Sequence, residues 1–173
     1  MIIVAVVTGR GVGPLFWVPP NCKINSTYYI TYILKPLVDD FLPKIYPGEL
    51  NKVFVHHDKA SSHVSRLTTD YMTKVTKDIG IQFIDKGQIP VKSPDASPLD
   101  VFGFGYIKQK LRTKRPKTLV GMCKVAQELW YNIPSDVVDK VFQDWRRRLN
   151  LMCLMHGEQI EPFKHLHHRV VYE

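Results

Sequence analysis

Lys52-Val53-Phe54-Val55-His56-His57-Asp58 is an apolar, β-prone run that ends on a carboxylate, and Lys59-Ala60-Ser61-Ser62-His63 follows it directly. A second segment, Ser93-Pro94-Asp95-Ala96-Ser97-Pro98-Leu99-Asp100, also ends on an aspartate, where the chain passes into a helix-like pattern. The first run reads as a strand closed by Asp58, with Ser61 or Ser62 as the N-cap of a following helix. Parallel strands of an α/β domain are covered on both faces, and ligands gather at their carboxyl ends. A carboxylate there must be paired, solvated or metal-bound, because a lone buried one is expensive. Carboxylate oxygens suit hard divalent cations, so Asp58 and Asp100 are candidate metal-holding residues.

Each has a plainer reading. Asp58 can form the turn before the helix, and Asp100 can sit at a helix start, favoured by free N–H groups and the helix dipole. Asp95 offers the same chemistry five residues earlier, and composition does not choose between it and Asp100.

Outward from these segments the periodicity gives an α/β order. Residues Ile2 to Val7 and Leu15-Phe16-Trp17-Val18 are apolar strands on either side of Thr8-Gly9-Arg10-Gly11-Val12-Gly13-Pro14, which predicts an antiparallel hairpin. The glycine run is not a phosphate loop, since no Lys-Ser or Lys-Thr follows and the next element is a strand. From Ser26, apolar residues at Ile30, Ile33, Leu34, Leu37, Val38, Phe41 and Leu42 have helical spacing, with Pro36 expected to kink or restart the helix. A further helix should bury Val64, Leu67, Tyr71, Met72, Val75 and Ile79, stop at Gly80, and lead into a strand at Ile81-Gln82-Phe83-Ile84. Beyond Lys117 the chain reads as helical. There Val137, Val138, Val141, Phe142, Trp145 and Leu149 form a stripe that leaves two of Arg146, Arg147 and Arg148 off it. Trp145 could stack on nucleic acid, but its place on the stripe makes it a core residue.

With 173 residues and 45% hydrophobic content the chain can bury one core. Its 24 Lys and Arg against 16 Asp and Glu give a net charge of +8, which favours a polyanionic partner. Lys108, Lys110, Arg112, Lys114 and Arg115, with Lys117, crowd one stretch and are the candidate DNA-contacting residues. Three cysteines are too few for a disulfide framework. Cys153 and His156, with His165, His167 and His168, lack the paired cysteines of a zinc site. The apolar N-terminal run is too short to cross a membrane, and no membrane partner is expected.

His57-Asp58-Lys59-Ala60-Ser61-Ser62-His63 resembles the "HDNA..H" segment of mariner-like transposases, with Lys59 in place of asparagine. Ser93 to Phe104 resembles their "SPDLAPSDYHLF" segment. Phe142-Gln143-Asp144-Trp145-Arg146-Arg147-Arg148-Leu149, followed by His156-Gly157-Glu158-Gln159-Ile160-Glu161, is similar to their closing helix and its "NGGHIE"-like end. The hairpin at the start also fits, so the resemblance, with its three motifs in order, covers nearly the whole chain.

The resemblance implies an RNase H-like fold, a mixed sheet flanked by helices, with a DDE/DDD site for two Mg2+ or Mn2+ ions. Residue by residue, Asp58 and Asp100 are the second and third acids, and Asp95 matches the noncatalytic aspartate of the "SPD" turn. The separation of Asp58 from Asp100 exceeds the family's usual spacing. The family's first aspartate lies on a strand upstream of the hairpin, and neither Asp39 nor Asp40 can replace it. The expectation is a single domain over residues 1–173, N-terminally truncated, without that first strand and without the helix-turn-helix domains. The implied partner is DNA, both transposon ends and target, with a homodimer as a further candidate and a nuclear location. The implied activity is DNA nicking and strand transfer, lost in this chain with the first acid. The alternatives are a noncatalytic nucleic-acid-binding or interaction remnant, and an RNase H-like nuclease.

Overall fold

The structure, a computed structural model, describes residues 2–88 and 97–156. They divide into two compact units. One holds the chain up to residue 88 except 7–12; the other holds 7–12 and 97–156.

The strands β1 (Ile2–Thr8) and β2 (Gly11–Val18) pair as a two-stranded sheet, with residues 2–6 and 13–18 in the first unit. The two-residue connection, Gly9 and Arg10, requires the antiparallel hairpin expected from the glycine run. Thr8 Oγ1 ties the turn, donating to the Gly11 carbonyl at 3.1 Å and accepting from Arg10 N at 3.1 Å. Gly13 is needed for space, because a Cβ there would lie 2.9 Å from Val6 Cβ and 3.0 Å from Phe41 Cε1.

Helix α1 covers residues 26–45, capped by the Asn25 side chain accepting from Tyr28 N at 2.8 Å. Its buried face is Tyr29, Ile30, Ile33, Leu34, Leu37, Val38 and Leu42, the periodic set without Phe41 and with Tyr29 added. Phe41 is only partly buried. The expected restart at Pro36 is corrected: α1 runs on through two π-type segments, Ile30–Leu34 and Pro36–Phe41. Lys35 N bonds to the Ile30 carbonyl and Leu42 N to the Leu37 carbonyl, five residues back in each case. This wider spacing accommodates the proline that an i→i−4 ladder would exclude.

The strand read over residues 52–58 is shorter than expected. Leu50–Lys52 is a 3-10 turn, and β3 is only Phe54–Val55. It pairs in parallel with β4 (Gln82–Phe83), Phe54 opposite Gln82 and Val55 opposite Phe83. The Val53 and Val55 carbonyls accept from Gln82 N and Ile84 N at 2.9 and 3.0 Å. Asp58 thus lies three residues beyond the strand rather than closing it. The intervening helix α2 (Arg66–Ile79) starts later than expected: its N-cap is Ser65, which accepts from Thr68 N at 3.3 Å, not Ser61 or Ser62. Leu67 and Ile79 are exposed, and Thr68 and Val75 are the buried residues. Thr68 is tolerated inside because its hydroxyl donates to the Ser62 carbonyl at 2.6 Å. Gly80 ends α2 at φ 91°, a left-handed cap suited to glycine.

Both sheets share α1 as their packing partner. Val4, Val6 and Phe16 from the hairpin, and Val55 and Phe83 from the parallel pair, pack on clusters centred on Leu34, Leu37, Val38, Val75 and Ile81. A fully buried side chain such as Leu34 contributes about 1.5–3 kcal/mol. Among the described residues the four strands form two separate two-stranded sheets.

In the second unit, a π-type turn Leu99–Gly103 runs into Phe104–Lys114, together α3. This is the helix expected near Leu99 or Asp100. Helices α4 (Leu119–Tyr131) and α5 (Ser135–Leu154) follow. Gly103 packs so closely on the Trp130 ring that a Cβ would meet Trp130 Cζ3 at 3.4 Å and Leu99 Cδ2 at 3.1 Å. Trp130 is fully buried. On α5, Val138 is buried and Arg148 is the one arginine of three drawn inward, while Arg146 and Arg147 are exposed. Trp145 is partly buried and meets Phe142 edge-on at 6.0 Å, as a packing residue should. No described helix is long and apolar enough to cross a membrane.

Candidate active site

The loop after β3 is held by turn bonds from His63 N and Val64 N to the Ala60 carbonyl, at 2.8 and 3.2 Å, and by side chains. Asp58 is 73% exposed at its side chain, and its Oδ1 accepts from Ala60 N at 3.0 Å. The same oxygen lies 2.7 Å from Nδ1 of His63, whose side chain is only 13% exposed. His63 Nδ1 also lies 3.3 Å from the Asp58 carbonyl oxygen. Because both neighbours are acceptors, His63 carries its proton on Nδ1. The His63 hydrogen bond, reinforced by Ala60 N–H, holds the Asp58 carboxyl down to about 2, so it is ionised at neutral pH.

Behind Asp58 lies an aromatic stack. The Tyr29 ring lies 3.9 Å from the His63 ring at 29°, and the His57 ring lies 5.2 Å from His63 at 5°. The Tyr29 oxygen is 3.0 Å from His57 Nδ1. Burial, and then the Asp58 charge, push the Tyr29 phenol up, so it stays protonated. Burial and the neighbouring His63 push His57 down to about 4, against the opposing pull of Asp58, so His57 is neutral.

The sequence points to Asp58 and places His57 and His63 beside it. It gives no local sign of Tyr29, which precedes the apolar set of α1 by one residue. Asp58 belongs to the first unit, and the backbone of Asp100 lies in the Leu99–Gly103 turn of the second. The Asp100 side chain and Asp95 lie outside the described residues, as do His165, His167, His168 and the "NGGHIE"-like segment from Gly157 onward. Among the described residues, no group of three His, Cys, Asp or Glu side chains is gathered for a metal ion. Asp58 fits one position of an oxygen-liganded cation site, being ionised and open to solvent, with both these polar contacts on Oδ1.

The candidate DNA-contacting residues Lys108, Lys110, Arg112, Lys114 and Arg115 are all exposed, on or just beyond α3. Lys108 and Arg112 share one helical face, and Lys110 and Lys114 another. Lys110 Nζ lies 5.7 Å from the Tyr106 ring centroid. Arg112 and Lys114 occupy the last turn, where cations also complement the helix dipole.

Solved structures contain this fold. The catalytic domain of Mos1 transposase with raltegravir and magnesium is similar over 92% of this chain and 76% of that one, with TM-score 0.75 and 17% identity. The catalytic domain of Mos1 mariner transposase matches over 92% of this chain and 75% of that one, with TM-score 0.73 and 17% identity. The raltegravir complex with manganese gives TM-score 0.73, again at 17% identity. No protein-family model matches the sequence, and no curated protein matches it. The chain has the α/β fold of a mariner transposase catalytic domain.

Proposed function

We propose that this chain is a mariner-like transposase catalytic domain that engages DNA, and that residues 1–173 tested by themselves cleave it poorly. The observation that carries the reading is the fold match over 92% of the chain. The ordered motifs around Asp58 and Asp100 support it from the sequence side. Asp58 and Asp100 would hold Mg2+ or Mn2+, which in the intact site stabilises charge on the scissile phosphate and activates the attacking hydroxyl. The neighbouring Mos1 domains carry magnesium or manganese in their solved structures. The chain's own contribution is an ionised Asp58 held by His63, and exposed cations on α3 that neutralise backbone phosphates. With DNA as its partner, the location proposed is nuclear.

The impairment concerns the first acid. The strand pair β1–β2 carries no Asp or Glu, and Asp39 and Asp40 are exposed on α1, after both hairpin strands. A carboxylate that fixes a second ion is worth most of the catalysis in such a site. The test is plasmid nicking in magnesium and in manganese, with Asp58→Ala as the comparison. The expected result is DNA binding with little nicking. Robust cleavage that disappears in Asp58→Ala overturns the impairment and favours a working nuclease.

A second reading, a noncatalytic nucleic-acid-binding remnant, is favoured by the exposed cations of α3. It predicts salt-sensitive DNA binding that Mg2+ and Asp58→Ala leave unchanged.

A further inference from the structure

We propose that His63 is the positioning residue for Asp58, and that Tyr29 and His57 hold it in that role from the buried side. The inference rests on reading Asp58 as the metal-holding carboxylate.

Asp58 stands on a loop beyond the end of a two-residue strand, exposed to water. A carboxylate in that setting samples several rotamers, and fixing a side chain costs conformational entropy. A metal-holding carboxylate gains from being fixed beforehand, because a wandering one must be ordered at the moment of binding. Ala60 N–H alone is a local Asx-type contact of the kind any loop aspartate makes. His63 is different. Its Nδ1 approaches both the carboxylate, at 2.7 Å, and the backbone carbonyl of the same residue, at 3.3 Å. It therefore grips Asp58 at two points and leaves Oδ2 clear of both contacts.

A positioning residue must itself be fixed. His63 is packed on one side by the Tyr29 ring at 3.9 Å, and the His57 ring runs parallel to it at 5.2 Å. Tyr29 is 3% exposed and belongs to α1, the helix on which both sheets pack. Its hydroxyl ties His57 at 3.0 Å, so both of His63's aromatic neighbours are anchored to one another. The order of α1 is thereby passed to an exposed carboxylate through one imidazole.

The test is NMR on the full chain, with three-bond couplings across χ1 of Asp58 and Mn2+ titrated while its resonances broaden. Wild type should show a single Asp58 rotamer. His63→Ala should show averaged couplings and need about 10–100 times more Mn2+ for half-broadening, the usual penalty when a ligand's supporting partner is removed. His63→Asn places an amide N–H near the position of Nδ1 and should regain the single rotamer and most of the Mn2+ response. A folded His63→Ala that keeps one rotamer and the wild-type Mn2+ response overturns the proposal. If His63→Ala does not fold, His63→Asn decides: averaged couplings in the folded Asn variant overturn it equally. A single rotamer in wild type, absent in His63→Ala, with no Asp58 broadening by Mn2+, retains the positioning role and removes the metal reading beneath it.

Discussion

The Tyr29 hydroxyl oxygen and His57 Nδ1 lie 3.0 Å apart, joining helix α1 to the loop that carries Asp58. Burial holds the His57 imidazole down to about 4, below its ordinary 6.5. Between those pH values the unfolded chain binds a proton that the folded chain refuses, so stability falls as pH drops. The expected loss from pH 7 to pH 4 is about 2–3 kcal/mol. Asp58, held down to about 2, adds a separate loss below the ordinary carboxylate range. Its exposure limits that to about 1 kcal/mol or less. Urea midpoints from pH 7.5 to 4 check this, with His57→Gln expected to flatten the dependence between pH 6.5 and 4. An unchanged slope in that variant would remove His57 as its source.

Gly13→Ala should destabilise the first unit. The new Cβ would lie 2.9 Å from Val6 Cβ and Cγ1 and 3.0 Å from Phe41 Cε1, where the hairpin meets α1. Overpacking of this kind costs about 1–3 kcal/mol. Gly9→Ala is the control, since nothing lies within 4 Å of its Cβ position. Thermal denaturation of the two variants should separate them clearly, and equal effects would argue against close packing at Gly13.

Ser65→Ala should cost about 1 kcal/mol by removing the N-cap of α2. Ser61→Ala, at an exposed turn residue, should be within about 0.5 kcal/mol of wild type. Chemical denaturation reads both. The reverse ranking would return the helix start to Ser61.

Neutralising Lys108, Arg112 and Lys114 together, each to Gln, should lower the salt dependence of DNA binding. Each phosphate no longer neutralised reduces the slope of log K against log salt by about 0.9. Fluorescence anisotropy on a mixed-sequence duplex at several salt concentrations gives that slope. Weaker binding at one salt with the slope intact would place these cations outside the DNA interface.

The elements are legible in the sequence wherever one period dominates. The apolar spacing of Ile30 to Leu42 points to α1, apolar runs around a glycine turn point to the hairpin, and Gly80 marks the end of α2. The departures have local causes. Pro36 reads as a break because an α-helical ladder cannot take it, and only the longer i→i−5 bonds of the actual helix reveal how it fits. Ser61, Ser62 and Ser65 are chemically equal caps, and the choice falls to Ser65 through its hydrogen bonds with Thr68. Thr68 does not read as a core position, because its burial depends on the Ser62 carbonyl, which spacing cannot foresee. At the site, Asp58 is legible as a carboxylate after a strand. Tyr29 is not, since the stack that joins it to His57 and His63 links residues far apart in the chain.

The exposed position of Asp58 separates two kinds of selection. No core cluster includes it, and the helix and strands that define the fold are held by residues elsewhere. Replacing it leaves the apolar packing of α1 intact, so folding exerts little restraint on its identity. Loss of this carboxylate would remove the chemistry it serves and leave the packing around Leu34 and Ile81 in place.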